Sequence, residues 1–309
     1  MPGDRTSSDR QGQLIPADPS PRVRGGFAWY CRRLVRKSFR ALRIVRETES
    51  LARDLNRDRT PVVVAMSHAG WWDPIIGMLL HDAYLPDRNG CAPMDAAQLE
   101  KFRFMRKLGI FGIDPDSAAS LNAMLSYVDQ WFHAHDRPAI WITPQGRFTD
   151  VREPIRLRPG AAALAAGHPE AKVLAVAAEY TFWQDQKPEV FVRFARCESN
   201  RDTTSAWHRA LTETMQENQA RLAELVIRRD PHQFTPLIGG ESARINPIYD
   251  WWLRLRGRSG GIEARRRTDR SDPSAHPTPR WACHSSRAES NAMPTAAPGT
   301  MTRGKESNS

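Results

Sequence analysis

The feature that most constrains this chain is an apolar run followed by a short turn and a helix-start signal. Residues 61–66 are apolar and rich in valine, which is typical of a strand buried on both faces. Asp73-Pro74 then predicts a helix start, because aspartate caps free backbone N–H groups and proline suits the first helical position. We therefore expect a strand, a turn that contains His68, and a helix that begins at Asp73.

His68 and Asp73 form a candidate catalytic pair. On one helix, residues five apart point roughly 140° away from each other, whereas a turn can bring them together. A helix start favours an ionised carboxylate, which can hold a histidine in one tautomer and stabilise its protonated form. The simpler alternative makes Asp73 a helix cap and His68 a loop residue, and for Asp73 both roles are compatible.

A family resemblance extends this local pattern. Residues 67–74 resemble the histidine-x4-aspartate motif of the glycerolipid and lysophospholipid acyltransferases. Four further segments follow in the order of that family's motifs: 101–114, 141–147, 158–165 and 174–180. Residues 141–147, Trp-Ile-Thr-Pro-Gln-Gly-Arg, resemble the third block of the family. The resemblance covers roughly residues 30–230, and the order of its segments makes it more specific than the short motif alone.

The resemblance implies transfer of an acyl chain from acyl-CoA or acyl-carrier protein to a lipid hydroxyl. His68 would act as general base, since an imidazole pKa near 6.5 suits that role, and Asp73 would orient it. Backbone N–H groups near Gly146 or the Asp73 helix start would stabilise the oxyanion. The expected partners are the lipid acceptor and the acyl donor, with no resident cofactor and no metal. The residues expected to contact substrate are Pro144, Gln145, Gly146, Arg147 and Arg158.

Several positions depart from the family pattern. Ser67 replaces the usual asparagine, Gln145 replaces a glutamate, and Arg147 comes one residue early. Asp114 is followed by Pro115, where the family normally has an arginine that binds the acceptor phosphate. A lysophospholipid remains the default acceptor. Two alternatives stay open: a non-phosphate acceptor such as a carotenoid glycoside, and a catalytically inactive member of the family that binds membranes.

The charge distribution predicts contact with an anionic membrane surface. The net charge is +10; residues 1–46 hold 11 basic and 3 acidic side chains, and residues 254–309 hold 11 and 5. Residues 27–46 have the pattern of a basic amphipathic helix, which fits either the membrane interface or packing on the domain. No transmembrane helix or signal peptide is predicted, so we expect a peripheral protein on the cytoplasmic face. Because the basic residues lie at the ends and no nucleic-acid motif is present, no specific nucleic-acid partner is expected.

Helical and strand-like segments alternate along the chain, which predicts a single α/β domain with a mixed β-sheet flanked by helices. Residues 27–253 are expected to form this domain, and residues 1–26 and 254–309 are expected to be disordered. The predicted helices are 27–56, 74–83, 96–108, 117–134, 160–166 and 203–229. The predicted strands are 61–67, 139–142, 173–180 and 190–194.

Overall fold

The computed structural model describes residues 14–240 and Arg256. The expected disorder of residues 1–13 and of the 254–309 tail lies outside the described residues, apart from Arg256. In the described part the helices are α1 Pro21–Ser38, α2 Glu49–Asp54, α3 Asp73–Tyr84, α4 Ala96–Lys101, α5 Ala118–Ala134, α6 Gly160–Gly167 and α7 Thr204–Arg228. The strands are β1 Ala41–Val45, β2 Val62–Met66, β3 Asn89–Asp95, β4 Ile110–Ile113, β5 Pro138–Ile142, β6 Lys172–Thr181, β7 Glu189–Cys197 and β8 Phe234–Gly239.

The strands form an 8-stranded sheet in the order β4-β3-β5-β2-β6-β7-β1-β8. The first five strands of this order run parallel to one another. β7 is antiparallel to β6, β1 is parallel to β7, and β8 is antiparallel to β1. The expected mixed sheet flanked by helices is therefore confirmed.

The central strand β2 is buried on both faces, as its sequence predicts. Val62, Val64 and Met66 pack in one core, which also contains residues of α1 and α3. Val63 and Ala65 pack in a second core on the other face with residues of α5, α6 and α7. Helices on both faces leave the carboxyl end of β2 at the edge of the sheet, where polar side chains can collect.

The expected continuous helix over residues 27–56, including the amphipathic segment 27–46, is wrong for residues 39–45, although helical structure returns in a 3-10 helix at Arg46–Thr48 and in α2. Ala41–Val45 is strand β1, paired with β7 and β8. The alternation of apolar and basic residues in this segment fits both structures locally, and the two strand partners are distant in sequence. Arg43 forms an ion pair with Glu189 at this position, which satisfies its charge within the sheet.

The expected disorder of residues 1–26 is wrong for residues 14–26. Ile15 and Gly112 exchange two backbone hydrogen bonds of 3.0 and 2.7 Å, and α1 already begins at Pro21. The predicted helix 96–108 is also divided, since α4 ends at Lys101 and a 3-10 helix spans Arg103–Leu108. Strands β3, β4 and β8 were not expected, because they are short or contain glycine and proline. None of the described helices combines the length and the hydropathy that crossing a bilayer requires.

Candidate active site

The candidate site lies where three neighbouring parallel strands end. β5, β2 and β6 are adjacent in the sheet, so their carboxyl ends meet at one edge. His68 follows β2, Gln145 follows β5, and Tyr180 is the penultimate residue of β6. Asp73 begins α3 directly after the turn. The topology thus brings together residues from four separate elements.

His68 and Asp73 are in direct contact. The Nδ1 atom of His68 and the Oδ2 atom of Asp73 lie 3.0 Å apart, and the Asp73 side chain is fully buried. A carboxylate oxygen can only accept here, so Nδ1 carries the hydrogen and the neutral imidazole keeps its lone pair on Nε2. Because 17 % of the His68 side chain is exposed, this residue can still be reached from solvent. The arrangement is that of a base with an orienting carboxylate.

Two further donors hold the Asp73 carboxylate. The Gly70 N–H donates to Oδ2 at 2.8 Å, and the Tyr180 hydroxyl donates to Oδ1 at 2.5 Å. Asp73 lies inside the first turn of α3 and does not act as its N-cap, which is Trp72. Burial, and then the Asp73 charge, raise the pKa of Tyr180 well above its usual value, so its hydroxyl remains a donor. Sequence reasoning missed Tyr180, although it ends the fourth family-like segment.

Two residues that depart from the family pattern support the backbone of the catalytic turn, which is residues 67–72 between β2 and α3. The Gln145 side-chain oxygen accepts the His68 N–H at 2.7 Å, and Gln145 is buried. The Ser67 hydroxyl oxygen accepts the Ala178 N–H at 3.1 Å, which joins the turn to β6. The carboxamide oxygen of Gln145 is therefore already engaged within the protein. A contact between Gln145 and substrate stays a prediction.

Arg158 crosses Gly146 and reaches the loop after β4. The backbone N–H of Arg158 donates to Pro144 O at 2.7 Å, and its guanidinium pairs with Asp116 at 3.0 Å and also donates to Pro115 O. Gly146 has a φ of 67°, and a Cβ there would lie 2.6 Å from the Arg158 Nε. The predicted group of residues 144–146 and Arg158 is thus brought together. Its role in substrate binding, like that of the exposed Arg147, stays a prediction.

The two places expected to supply oxyanion donors are already hydrogen-bonded. The Gly146 N–H donates to Thr143 O at 3.0 Å, and the Asp73 N–H donates to Gly70 O at 3.1 Å. Both bonds close the turns that position the site. These two amides are therefore not available to a substrate in this conformation, and a role for neighbouring backbone N–H groups as oxyanion donors stays a prediction.

Aromatic side chains lie at the mouth of the site. The Phe148 ring is 4.6 Å from the imidazole of His68, measured between centroids, and Phe148 is 58 % exposed. Trp71 is 64 % exposed and lies within the catalytic turn. The loop that carries Phe148 is tied to the turn, because the Thr149 N–H donates to His68 O at 2.8 Å. The entrance to His68 is therefore largely apolar.

Residues 43–179 match the family model described as "Acyltransferase". Among solved structures, the chain is similar to the 1-acyl-sn-glycerophosphate (LPA) acyltransferase PlsC from Thermotoga maritima, with 12 % identity, a TM-score of 0.41, and coverage of 64 % of this chain and 88 % of that one. No curated protein matches the sequence significantly.

Proposed function

Because residues 43–179 match the acyltransferase family model, we propose that this chain transfers an acyl group from a thioester donor to a lipid hydroxyl, with His68 as general base. The donor is acyl-CoA or acyl-carrier protein. The proposal depends on one observation above all, the 3.0 Å contact between His68 Nδ1 and the fully buried carboxylate of Asp73.

The chemistry follows from the tautomer that Asp73 imposes. A lipid hydroxyl is a weak nucleophile until its proton leaves, and the Nε2 lone pair of His68 can accept that proton as the oxygen attacks the thioester carbonyl. The new C–O bond forms, the C–S bond breaks, and the imidazolium returns the proton to the departing thiolate. Asp73 stabilises the imidazolium between these two steps.

The acceptor is proposed to be a lysophospholipid, with an uncharged lipid alcohol such as a carotenoid glycoside as the alternative. The exposed Phe148 ring, whose centroid lies 4.6 Å from that of the His68 imidazole, supports a lipid substrate in either case. One observation favours the uncharged acceptor: Pro115 stands where a phosphate-binding arginine is usual, and the nearby Arg158 guanidinium is engaged by Asp116 and by Pro115 O.

The test of catalysis measures CoA release from acyl-CoA by purified protein with extracted lipid acceptors. His68→Ala should abolish turnover while the circular dichroism spectrum and Tm stay close to those of wild type. His133→Ala is the matched control, since His133 lies on α5 with a 77 % exposed side chain, and its turnover should be unchanged. Equal CoA release above background by wild type and His68→Ala would reject His68 as the base. No release above background by either protein would leave the inactive membrane-binding protein as the explanation.

The test of the acceptor compares a lysophospholipid with a neutral glycolipid of the same chain length. Arg158→Gln should lower kcat/KM only for the lysophospholipid if the guanidinium leaves Asp116 to bind phosphate. If the guanidinium stays with Asp116, both acceptors should be affected equally. Lipid profiling of a deletion strain identifies the natural acceptor independently.

We also propose that the protein binds the membrane peripherally through a surface formed by α1 and the 3-10 helix Arg103–Leu108. The apolar stripe of α1 does not supply this surface, because Cys31 and Val35 are buried in the core. The exposed aromatic residues are instead Trp29 at 68 %, Tyr30 at 50 %, Phe102 at 47 % and Phe104 at 48 %.

The two segments are joined, since the rings of Phe27 and Phe104 lie 5.8 Å apart. The same two segments carry exposed basic side chains, of which Arg32 and Lys107 form ion pairs with Asp82 and Asp18: Arg22, Arg32, Arg33, Arg36, Lys37, Arg103 and Lys107. Interfacial aromatic residues with basic neighbours suit anionic headgroups. The cytoplasmic face stays a prediction.

Vesicle binding tests this surface. Trp29→Ser with Tyr30→Ser should weaken binding to vesicles that contain phosphatidylglycerol, whereas Ile227→Ser, a 77 % exposed apolar residue on α7, should not. Deleting residues 22–46 is unsuitable, because it would remove β1 from the interior of the sheet. Undiminished binding by the double variant would reject this membrane surface without affecting the catalytic proposal.

A further inference from the structure

Tyr180 completes the support of the catalytic pair, although it was expected only as the last residue of a buried strand and not as a site residue. We propose that Tyr180 is a positioning residue that holds the Asp73 carboxylate and thereby sets the basicity of His68. The inference rests on the proposed acyl transfer for its kinetic consequence, although its geometric basis is independent of the reaction.

The carboxylate of Asp73 is held at both oxygens. The Tyr180 hydroxyl donates to Oδ1 at 2.5 Å, and the Gly70 N–H donates to Oδ2 at 2.8 Å. His68 Nδ1 lies 3.0 Å from the same Oδ2. With one oxygen fixed by β6 and the other by the turn, the carboxylate plane cannot rotate, so Oδ2 stays directed at His68.

Tyr180 is itself held in place by aromatic packing. Its ring centroid lies 5.9 Å from that of Phe39, which follows α1 and is 5 % exposed. The Phe39 ring in turn packs edge-on against Trp72 at 4.7 Å, and Trp72 directly precedes Asp73. Residues from α1, β6 and the start of α3 therefore fix the hydroxyl relative to its acceptor.

The hydrogen bond from the Tyr180 hydroxyl also stabilises the negative charge on Asp73 Oδ1. Burial, followed by the charge of Asp73, raises the pKa of Tyr180, so the hydroxyl stays protonated and continues to donate at working pH. A donor to Oδ1 draws charge away from Oδ2 and so limits how strongly the carboxylate stabilises the imidazolium. Without this donor, only the Gly70 N–H holds the carboxylate: Oδ2 stays near His68 and stabilises the imidazolium more strongly, but the carboxylate can rotate and no longer fixes the orientation of the imidazole.

The experiment compares Tyr180→Phe with Tyr84→Phe. Both substitutions remove one hydroxyl that donates to a carboxylate, since Tyr84 donates to Glu49 at 3.0 Å and is 4 % exposed. Tyr84 and Glu49 serve no role in the site, so Tyr84→Phe controls for lost stability. The measurements are Tm, the pH profile of kcat/KM, and the NMR titration of the His68 imidazole, assigned with His68→Ala.

Tyr180→Phe should raise the imidazole pKa of His68, because Oδ2 then keeps more of the carboxylate charge. It should also lower kcat by about tenfold with little change in KM, because a carboxylate that can rotate orients the imidazole less well. The acid limb of the kcat/KM profile should move to higher pH by the same amount as the imidazole titration. Tyr84→Phe should change neither the imidazole pKa of His68 nor kcat, whatever it does to Tm.

An unchanged or lowered pKa of His68 in Tyr180→Phe would overturn the positioning role, and so would an unchanged kcat. The NMR titration needs no turnover. If wild type releases no CoA with any acceptor, the proposed function fails while the titration still decides the role of Tyr180.

Discussion

Gly146→Ala tests how the loop after β5 supports the catalytic turn. Gly146 has a φ of 67°, in the left-handed region that side chains with a Cβ rarely adopt. The added Cβ would lie 2.6 Å from Arg158 Nε and 2.7 Å from Arg158 Cδ. Arg158 must therefore move, although its guanidinium is held by Asp116 and Pro115 O.

The expected loss of stability in Gly146→Ala has two parts. A non-glycine residue in the left-handed region costs roughly 1–2 kcal/mol. Displacing Arg158 weakens a hydrogen bond and a half-exposed ion pair, which together contribute about 1 kcal/mol. The free energy of unfolding should fall by about 2–3 kcal/mol, and for a domain of this size Tm should fall by about 4–12 °C.

Thermal denaturation of Gly146→Ala measures this loss, with Gly167→Ala as control. Gly167 ends α6, and an added Cβ there meets nothing within 4 Å. This control should keep or slightly raise Tm. In an Arg158→Ala background the steric part should vanish, so Gly146→Ala should then cost only the backbone part.

A Tm for Gly146→Ala within about 1 °C of wild type, where a fall of roughly 4–12 °C is expected, would refute the argument. An equal loss with and without Arg158 would refute the steric part alone. Since Gln145 precedes this glycine and accepts the His68 N–H, kcat should fall along with Tm.

Two further predictions concern buried polar groups. Gln145→Leu should leave the His68 N–H without its partner, which should lower the free energy of unfolding by about 1–3 kcal/mol and also lower kcat. Gln145→Glu is the control, because it keeps an acceptor for this N–H. Full kcat in Gln145→Leu would contradict the prediction. Burial lowers the pKa of His81 to about 3, with Arg24 contributing, so the unfolded chain binds this proton first and stability is lost as pH falls below about 6.5. Between pH 6.5 and 4.5 wild type should lose about 2–3 kcal/mol more than His81→Gln, measured by denaturant unfolding, and equal losses would contradict the assignment.

Local sequence was sufficient to predict the elements in which buried apolar residues form a clear pattern along the chain. Strand β2 and helix α3 lie close to where the apolar run and Asp73-Pro74 predict them. The limits of α7 are likewise within one residue of the prediction. Sequence failed for Ala41–Val45, because alternation with basic residues fits a helix and a strand equally well until β7 and β8 supply their backbone partners.

The same division applies to the site. The spacing of His68 and Asp73, with a turn between them, was enough to predict a base and its carboxylate, since both residues belong to one short segment. Tyr180, Phe148 and the engagement of Gln145 with His68 required the folded chain. These contacts join residues that are 107, 80 and 77 positions apart, and local pattern carries no information on such distances.

The sequence by itself was enough to place His68 and Asp73 on either side of one turn, because the strand, the turn and the helix start follow from local backbone preference. Only the tertiary structure decided how that pair is held. The parallel order β5-β2-β6 brings three strand ends to one edge of the sheet, where Gln145 and Tyr180 meet the His68 turn. The physical reason is that hydrogen-bonded partners from separate strands are selected by sheet pairing and burial, which depend on the whole chain.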